Sequence, residues 1–382
     1  PMDVQPDLLT LKYDVVLDAR RFAPRDVVQR DIEVTPFGNP PFVTEFGPPM
    51  QARASCAEIT DGDPAIAAPR LVFPMSPMRV TSQRPTLFWT LPPGVDGARV
   101  ELCRDRCCTE VLQTIDAVGS SVRVPETLRA GVVFWRARGR VGARHGRDTS
   151  FTWEFGVRHR DAPTDTAWGT IKDINGDGFD DVAATIGGEP FSECRIYWGG
   201  TEGIEGSRFQ ALNLGSSTSG IAMGDFDGDG LADVVVRAFR SYDNADGVLM
   251  SGADLWVIYG NRGTLRTPSE QFRVGGLGLS VADVNGDGYS DLTTTEPAPS
   301  DAFRIRANIM TLYGGPRGLL TGRVQYTPNP LGIQDRRCFG KSGNSGDLNG
   351  DGYADTVVGD YCYNDSRGRA MVLAGSAEGM LG

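Results

Sequence analysis

The chain has 382 residues, of which 23% are charged, with 49 Asp and Glu against 38 Lys and Arg for a net charge of −11. No stretch approaches the roughly 20 apolar residues of a membrane span. An acidic chain also lacks the basic face that a nucleic-acid surface needs.

Residues 1 to 69 carry Pro, Asp and Val in a loose recurrence, MDV, YDVV, RDVV and RDIEV, without a sustained period. This segment is expected to be an extended, largely disordered linker, with a brief strand at LKYDVVL as the competing reading. Any signal peptide is expected upstream of Pro1.

From 70 to 160 the pattern changes. Seven short alternating runs follow one another: RLVFP, PTLFWTLP, ARVELCRD, EVLQTIDAVG, SSVRVPE, GVVFWRARG and TSFTWEFGVR. Seven strands in about ninety residues are what an immunoglobulin-like β-sandwich requires. Trp89, Trp135 and Trp153 fall on the apolar phase of three runs and are expected in the core.

Residues 165 to 382 hold four copies of one acidic loop: DINGDGFDD at 173–181, DFDGDGLAD at 225–233, DVNGDGYSD at 283–291 and DLNGDGYAD at 347–355. All fit D-x-[DN]-G-D-G-x-x-D. Oxygen donors at positions 1, 3, 5 and 9, with a backbone carbonyl at position 7, suit a hard cation such as Ca²⁺ with six to eight oxygen ligands. The candidate ligands are Asp173, Asn175, Asp177, Phe179 and Asp181; Asp225, Asp227, Asp229, Leu231 and Asp233; Asp283, Asn285, Asp287, Tyr289 and Asp291; and Asp347, Asn349, Asp351, Tyr353 and Asp355. Phe179, Leu231, Tyr289 and Tyr353 contribute carbonyls. An EF-hand would need an acid at position 12 and flanking helices. Position 12 is instead Ala184, Val236, Thr294 and Val358, inside β-branched runs, so these loops are expected to join strands.

The loops recur at intervals of 52, 58 and 64 residues, and each is followed by an apolar strand and a Gly-rich turn: RIYWGGTEGI, WVIYGNRGTL, MTLYGGPRGLL and MVLAGSAEGML. A unit of this size reads as one four-stranded antiparallel blade. The repeats resemble FG-GAP repeats, the blades of the integrin α-subunit head and of many bacterial secreted proteins, whose loops of the same pattern hold Ca²⁺. The fourth copy is the most similar, with Phe339-Gly340 ahead of its loop and Val358-Gly359-Asp360 after it. The resemblance implies a β-propeller, with about four structural Ca²⁺ ions. Family propellers usually close with seven blades, so the chain is expected to be a fragment of a longer precursor, a four-bladed ring being the competing reading. The 70–160 segment is similar to the fibronectin type III-like modules that precede such propellers in bacterial envelope proteins. The fold class expected is therefore all-β: an immunoglobulin/fibronectin-like sandwich followed by four FG-GAP blades of a β-propeller.

Charge follows the repeats. Residues 165–382 hold 29 acids against 17 bases, a net of −12, while residues 1–164 carry a net of +1. Of the seven cysteines, Cys103 and Cys107 or Cys108 are expected to close a small bridge, Cys338 and Cys362 to flank the fourth loop as a second, and Cys56 or Cys107 to be left over; no zinc set is spaced among them. Disulfides and calcium point to an extracellular or cell-envelope location.

The two histidines, His145 and His159, lie outside the repeats in Arg-rich stretches and read as solvated loop residues. No G-x-S-x-G, Walker A or H-E-x-x-H motif occurs. The expected function is a calcium-stabilised extracellular or cell-surface binding protein with a protein or carbohydrate ligand on the propeller face, and not an enzyme. The alternative is an envelope polysaccharide-acting enzyme or carbohydrate-binding module. Residues 241–254 and 295–308 are the candidate contact loops.

Overall fold

The structure is a computed structural model and describes residues 28–30, 56, 59–187, 193–212, 214, 217–243, 249–263, 265, 270–274, 278–295, 309–319, 324–327, 339–360 and 367–380. Among these residues every regular element is a strand, and no helix is long and apolar enough to cross a membrane. The LKYDVVL segment lies outside the described residues. A strand does form further along, at Val28–Arg30 (β1).

Ten strands then build a two-sheet module: β2 (Arg70–Phe73), β3 (Met78–Val80), β4 (Thr86–Thr90), β5 (Gly97–Cys103), β6 (Val111–Val118), β7 (Ser121–Arg123), β8 (Gly131–Val141), β9 (Arg144–Thr149), β10 (Trp153–Val157) and β11 (Ala167–Thr170). One sheet runs β2-β4-β7. The other runs β11-β3-β10-β8-β5-β6, with β9 added to β8. All seven runs of the sequence are strands; β3, β9 and β11 are additional. In β4 alternation sorts the faces, Leu87 and Trp89 inward and Phe88 outward. They meet Val100, Leu102, Val133, Trp135 and Phe155 of the other sheet in one buried cluster. Each such fully buried large side chain stabilises by about 1.5–3 kcal/mol relative to exposure. Trp135 and Trp153 pack edge to face at 6.3 Å, and Trp89, like them, is core.

Part of the segment expected as linker belongs to this module. Ile66 is buried, Asp63 N–H donates to the His145 carbonyl, and Asp61 meets the Arg138 guanidinium. The disulfides also differ from expectation. Cys103 bonds Cys108 as one of the two options, but Cys56 and Cys107, each considered as a leftover thiol, bond one another. Cys194 is the free cysteine among the described residues, and it is buried. A linear spacing of 51 residues between Cys56 and Cys107 carries no signal until the 59–69 segment folds back. Cys338 and Cys362 lie outside the described residues.

Four repeat units follow. Unit I contains β12 (Val182–Ile186), β13 (Glu193–Tyr197) and β14 (Phe209–Leu212). Unit II contains β15 (Thr218–Gly224), β16 (Asp233–Asp243), β17 (Leu249–Ile258) and β18 (Glu270–Val274). Unit III contains β19 (Ser280–Ala282), β20 (Asp291–Thr295), β21 (Ile309–Leu312) and β22 (Val324–Thr327). Unit IV contains β23 (Phe339–Gly346), β24 (Asp355–Asp360) and β25 (Arg369–Leu373). Each is an antiparallel meander, and β1 adds a further strand beside β22. The strand that leads into the first acidic loop is β11, which pairs with β3. The amino-terminal module and the repeats therefore share a strand boundary with no free linker between them.

In unit II the acidic loop joins β15 to β16 and the Gly turn joins β17 to β18 at one end of the meander, while the ladder of β16 and β17 runs to Asp243 and Leu249 at the other. Most of the 241–254 segment is regular structure, with Ser241–Asp243 laddered against Leu249–Ser251. Residues 244–248 at its tip, and 296–308 of the second candidate contact loop, lie outside the described residues.

Candidate metal centre at the repeated acidic loops

Each loop folds around its own first aspartate. In loop I, Asp173 Oδ1 accepts from the N–H of Gly176 and Asp177, and Oδ2 from Gly178. The Asn175 side-chain oxygen accepts from Asp177 N–H, and Asp177 Oδ1 from Phe179 N–H. Loops II and IV repeat this network from Asp225 and Asp347. In loop III, Asp283 accepts from Asp287 and Gly288. Glycines at positions 4 and 6 take positive φ in all four loops, from 71° at Gly176 to 92° at Gly288, a conformation that glycine adopts without a Cβ penalty.

The result is a set of carboxylates turned toward one another. In loop II, Asp225, Asp227 and Asp229 each offer an oxygen within 4.8 Å of the others. Burial raises the pKa of Asp225, Asp233, Asp283 and Asp291 well above the carboxylate range, and the neighbouring loop acids push the same way. Asp181 is pushed up to about 6, chiefly by burial. Buried, mutually repelling acids of this kind are the environment that a bound cation relieves. In loop II, positions 1, 3 and 5 thus fit an oxygen-ligated divalent ion.

Position 9 does more than was read from the sequence. Both oxygens of each of these aspartates accept backbone N–H groups: one from loop position 2 and one from the glycine of the same unit's Gly turn. The pairs are Ile174 and Gly199 on Asp181, Phe226 and Gly260 on Asp233, Val284 and Gly314 on Asp291, and Leu348 and Gly375 on Asp355. Each carboxylate oxygen has a second lone pair, so the staple leaves capacity for an ion. No residue but glycine fits the turn. A Cβ on Gly314 would come within 2.3 Å of the Ser290 carbonyl oxygen and 2.9 Å of that of Phe226.

The loops also join unit to unit, which the sequence did not reveal. The position-1 carbonyl of one loop accepts from position 8 of the next, as Ala232 to Asp173, Ser290 to Asp225 and Ala354 to Asp283. The position-2 carbonyl accepts from the next Gly turn, as Asn261 to Ile174, Gly315 to Phe226 and Ser376 to Val284. The side chains of Ile174, Phe226 and Val284 are fully covered in these joints, whereas their counterpart Leu348 is 61% exposed.

The acidic ends of the units face the amino-terminal module. His159 is exposed in the bend after β10, as read from the sequence, and its ring also stacks on Phe179 at 4.7 Å, while Arg79 pairs with Asp180 at 2.9 Å. His145 is half-buried in β9, 3.8 Å from Asp116. Arg106 Nε donates to the Gly228 carbonyl and Nη2 to that of Gly288, while Trp153 Nε1 donates to Gly286 and Ser76 Oγ to Gly288. Arg70 lies over the Tyr353 ring at 5.1 Å. All four loops are thus contacted. The signal in the sequence was the charge asymmetry between the two halves.

Two family models match the repeats: an FG-GAP-like repeat over residues 173–236 and an FG-GAP repeat over residues 275–305. The first spans loops I and II and the second loop III; the Phe339-Gly340 copy lies in neither range. The chain is also similar to integrin alpha pat-2 of Caenorhabditis briggsae, 31% identical over 171 residues, and of Caenorhabditis elegans, 31% over 179 residues. It is 30% identical to integrin alpha-PS2 of Drosophila melanogaster over 168 residues. These alignments cover 42%, 44% and 41% of this chain, and only 14%, 14% and 11% of the respective relatives.

Proposed function

We propose that this chain is a calcium-stabilised binding module of the extracellular space or cell envelope, with FG-GAP blades of a β-propeller docked on a fibronectin- or immunoglobulin-like sandwich. The observation that carries this reading is that a cation-type acidic loop is stapled to its Gly turn in all four units and bonded to the next unit at three equivalent joints. The bound Ca²⁺ would supply charge neutralisation and geometry to that joint, and no chemistry.

The partner surface would be the end of the blades away from the acidic loops, because the amino-terminal module covers the loop end. The similarity to integrin α chains supports a protein ligand there. The disulfides Cys56–Cys107 and Cys103–Cys108 suit an oxidising location.

Titration calorimetry with Ca²⁺ and Mg²⁺ tests the reading. Flexible seven-oxygen sites favour the larger ion, since Mg²⁺ demands strict octahedral geometry. Heat with Ca²⁺ and weaker binding of Mg²⁺ is expected; no heat with Ca²⁺ sinks the cation reading, and equal affinities sink the assignment to calcium.

A further inference from the structure

Among the contacts between the amino-terminal module and the loops, one residue reaches two loops at once. Arg106 stands between the bonded cysteines at 103 and 107–108. Its Nε donates to the Gly228 carbonyl of loop II at 2.9 Å, and Nη2 to the Gly288 carbonyl of loop III at 3.0 Å. Nη1 donates to the Thr152 carbonyl, and Nη2 also meets Glu154 Oε2 at 3.1 Å. The guanidinium lies 4.3 Å from the centre of the Tyr289 ring and 3.9 Å from Asp225 Oδ2. It therefore touches positions 1 and 4 of one loop and positions 6 and 7 of the next, and the planar fork of an arginine is suited to hold several such acceptors in fixed relation.

Glu154 completes the arrangement. Its side chain is only 1% exposed, and its Oε1 has no hydrogen-bond partner. It adds another buried carboxylate next to the four of loop II, with Arg106 as its counter-charge. A buried ion pair placed only to hold two sheets together would not need to engage the carbonyls of two cation-type loops.

We propose that Arg106 and Glu154 are positioning residues for the cation sites of loops II and III, so that cation binding at these two loops and docking of the amino-terminal module form one coupled equilibrium. This rests on the calcium reading of the loops. Coupling of this kind is reciprocal: whatever docking does for cation affinity, the cation does for docking. Loops I and IV meet the module through His159, Arg79 and Arg70 and serve as internal controls.

The test is hydrogen exchange read by mass spectrometry on the full chain across a calcium titration. In the native protein, chelation is expected to speed exchange in loops II and III and also in the module segments 103–108 and 152–157. Glu154→Gln leaves Arg106 uncompensated beside Asp225, so the calcium concentration that half-protects loop II should rise about tenfold, within the usual range of coupling, with loops I and IV unchanged. Arg106→Lys keeps the charge but loses the fork, and should weaken loops II and III together. Native midpoints in both variants, or module segments that ignore chelation in the native protein, overturn the coupling. Absence of calcium protection in every loop overturns the cation reading itself.

Discussion

At the scale of single residues, the loops separate the roles of acids that the motif leaves looking alike. Loop II has four carboxylates where the others have three and an Asn, so Asp227→Asn should lower its calcium affinity toward that of its neighbours, read by calorimetry; an unchanged affinity removes the charge argument. At position 9 of loop I, Asp181 titrates in a useful range. Burial lifts Asp181 from 3.8 to about 6, so folding favours its protonated form: without cation, that contribution to stability is complete below about pH 4 and lost as pH rises through 6. A cation needs the ionised form, so apparent calcium affinity at loop I should fall as pH drops below about 6, and a flat affinity from pH 7 to 5 would contradict it. The Gly turn offers a steric test. Gly314→Ala drives a Cβ into two carbonyls, whereas a Cβ on Gly315 meets nothing within 4 Å. The first should cost about 1–3 kcal/mol, as overpacking does, and the second much less, in thermal melts of the two variants.

At the scale of elements, the joint between units is where the apolar residue at loop position 2 acquires its value. Phe226 is buried between unit II and the Gly turn of unit III, where Gly315 N–H bonds its carbonyl. Phe226→Ala should cost about 3–5 kcal/mol. Leu348 occupies the same loop position but is exposed, so Leu348→Ala should stay within about 0.5 kcal/mol; comparable losses by chemical denaturation would deny the joint its energetic role. The strands and loops were legible from the sequence because alternation and ligand spacing are local signals. The role of Asp181, Asp233, Asp291 and Asp355 as staples was not, because their partners Gly199, Gly260, Gly314 and Gly375 lie 18 to 27 residues away and pair only after the meander closes.

At the scale of the whole molecule, the loop ends and the amino-terminal module form one structure, which alters the expected response to chelation. At ten times its dissociation constant, each ion adds about 1.4 kcal/mol by linkage, so four would add on the order of 5–6 kcal/mol, comparable to the stability of a domain. From the sequence, a sandwich without acidic loops is expected to melt unchanged in chelator. With Arg70, Arg79, Arg106, Trp153 and His159 seated on the loops, the module should instead lose stability along with the repeats in differential scanning calorimetry. An unshifted module transition in chelator would show that these contacts carry no stabilisation.

What the sequence determined by itself was chemistry written at short range: four loops with cation-type spacing, strands that alternate, and an acidic half set against a neutral one. The loops and strands follow from ligand geometry and backbone periods, each complete within about ten residues, and the charge asymmetry from simple summation along the chain. Tertiary structure alone decided that Cys56 meets Cys107, that Ile66 belongs to the module, and that Arg106 enters the acidic loops rather than solvent. Each of these pairings spans 50 residues or more, and its free energy comes from burial and hydrogen bonds that exist only once two sheets and two loop ends have been brought face to face.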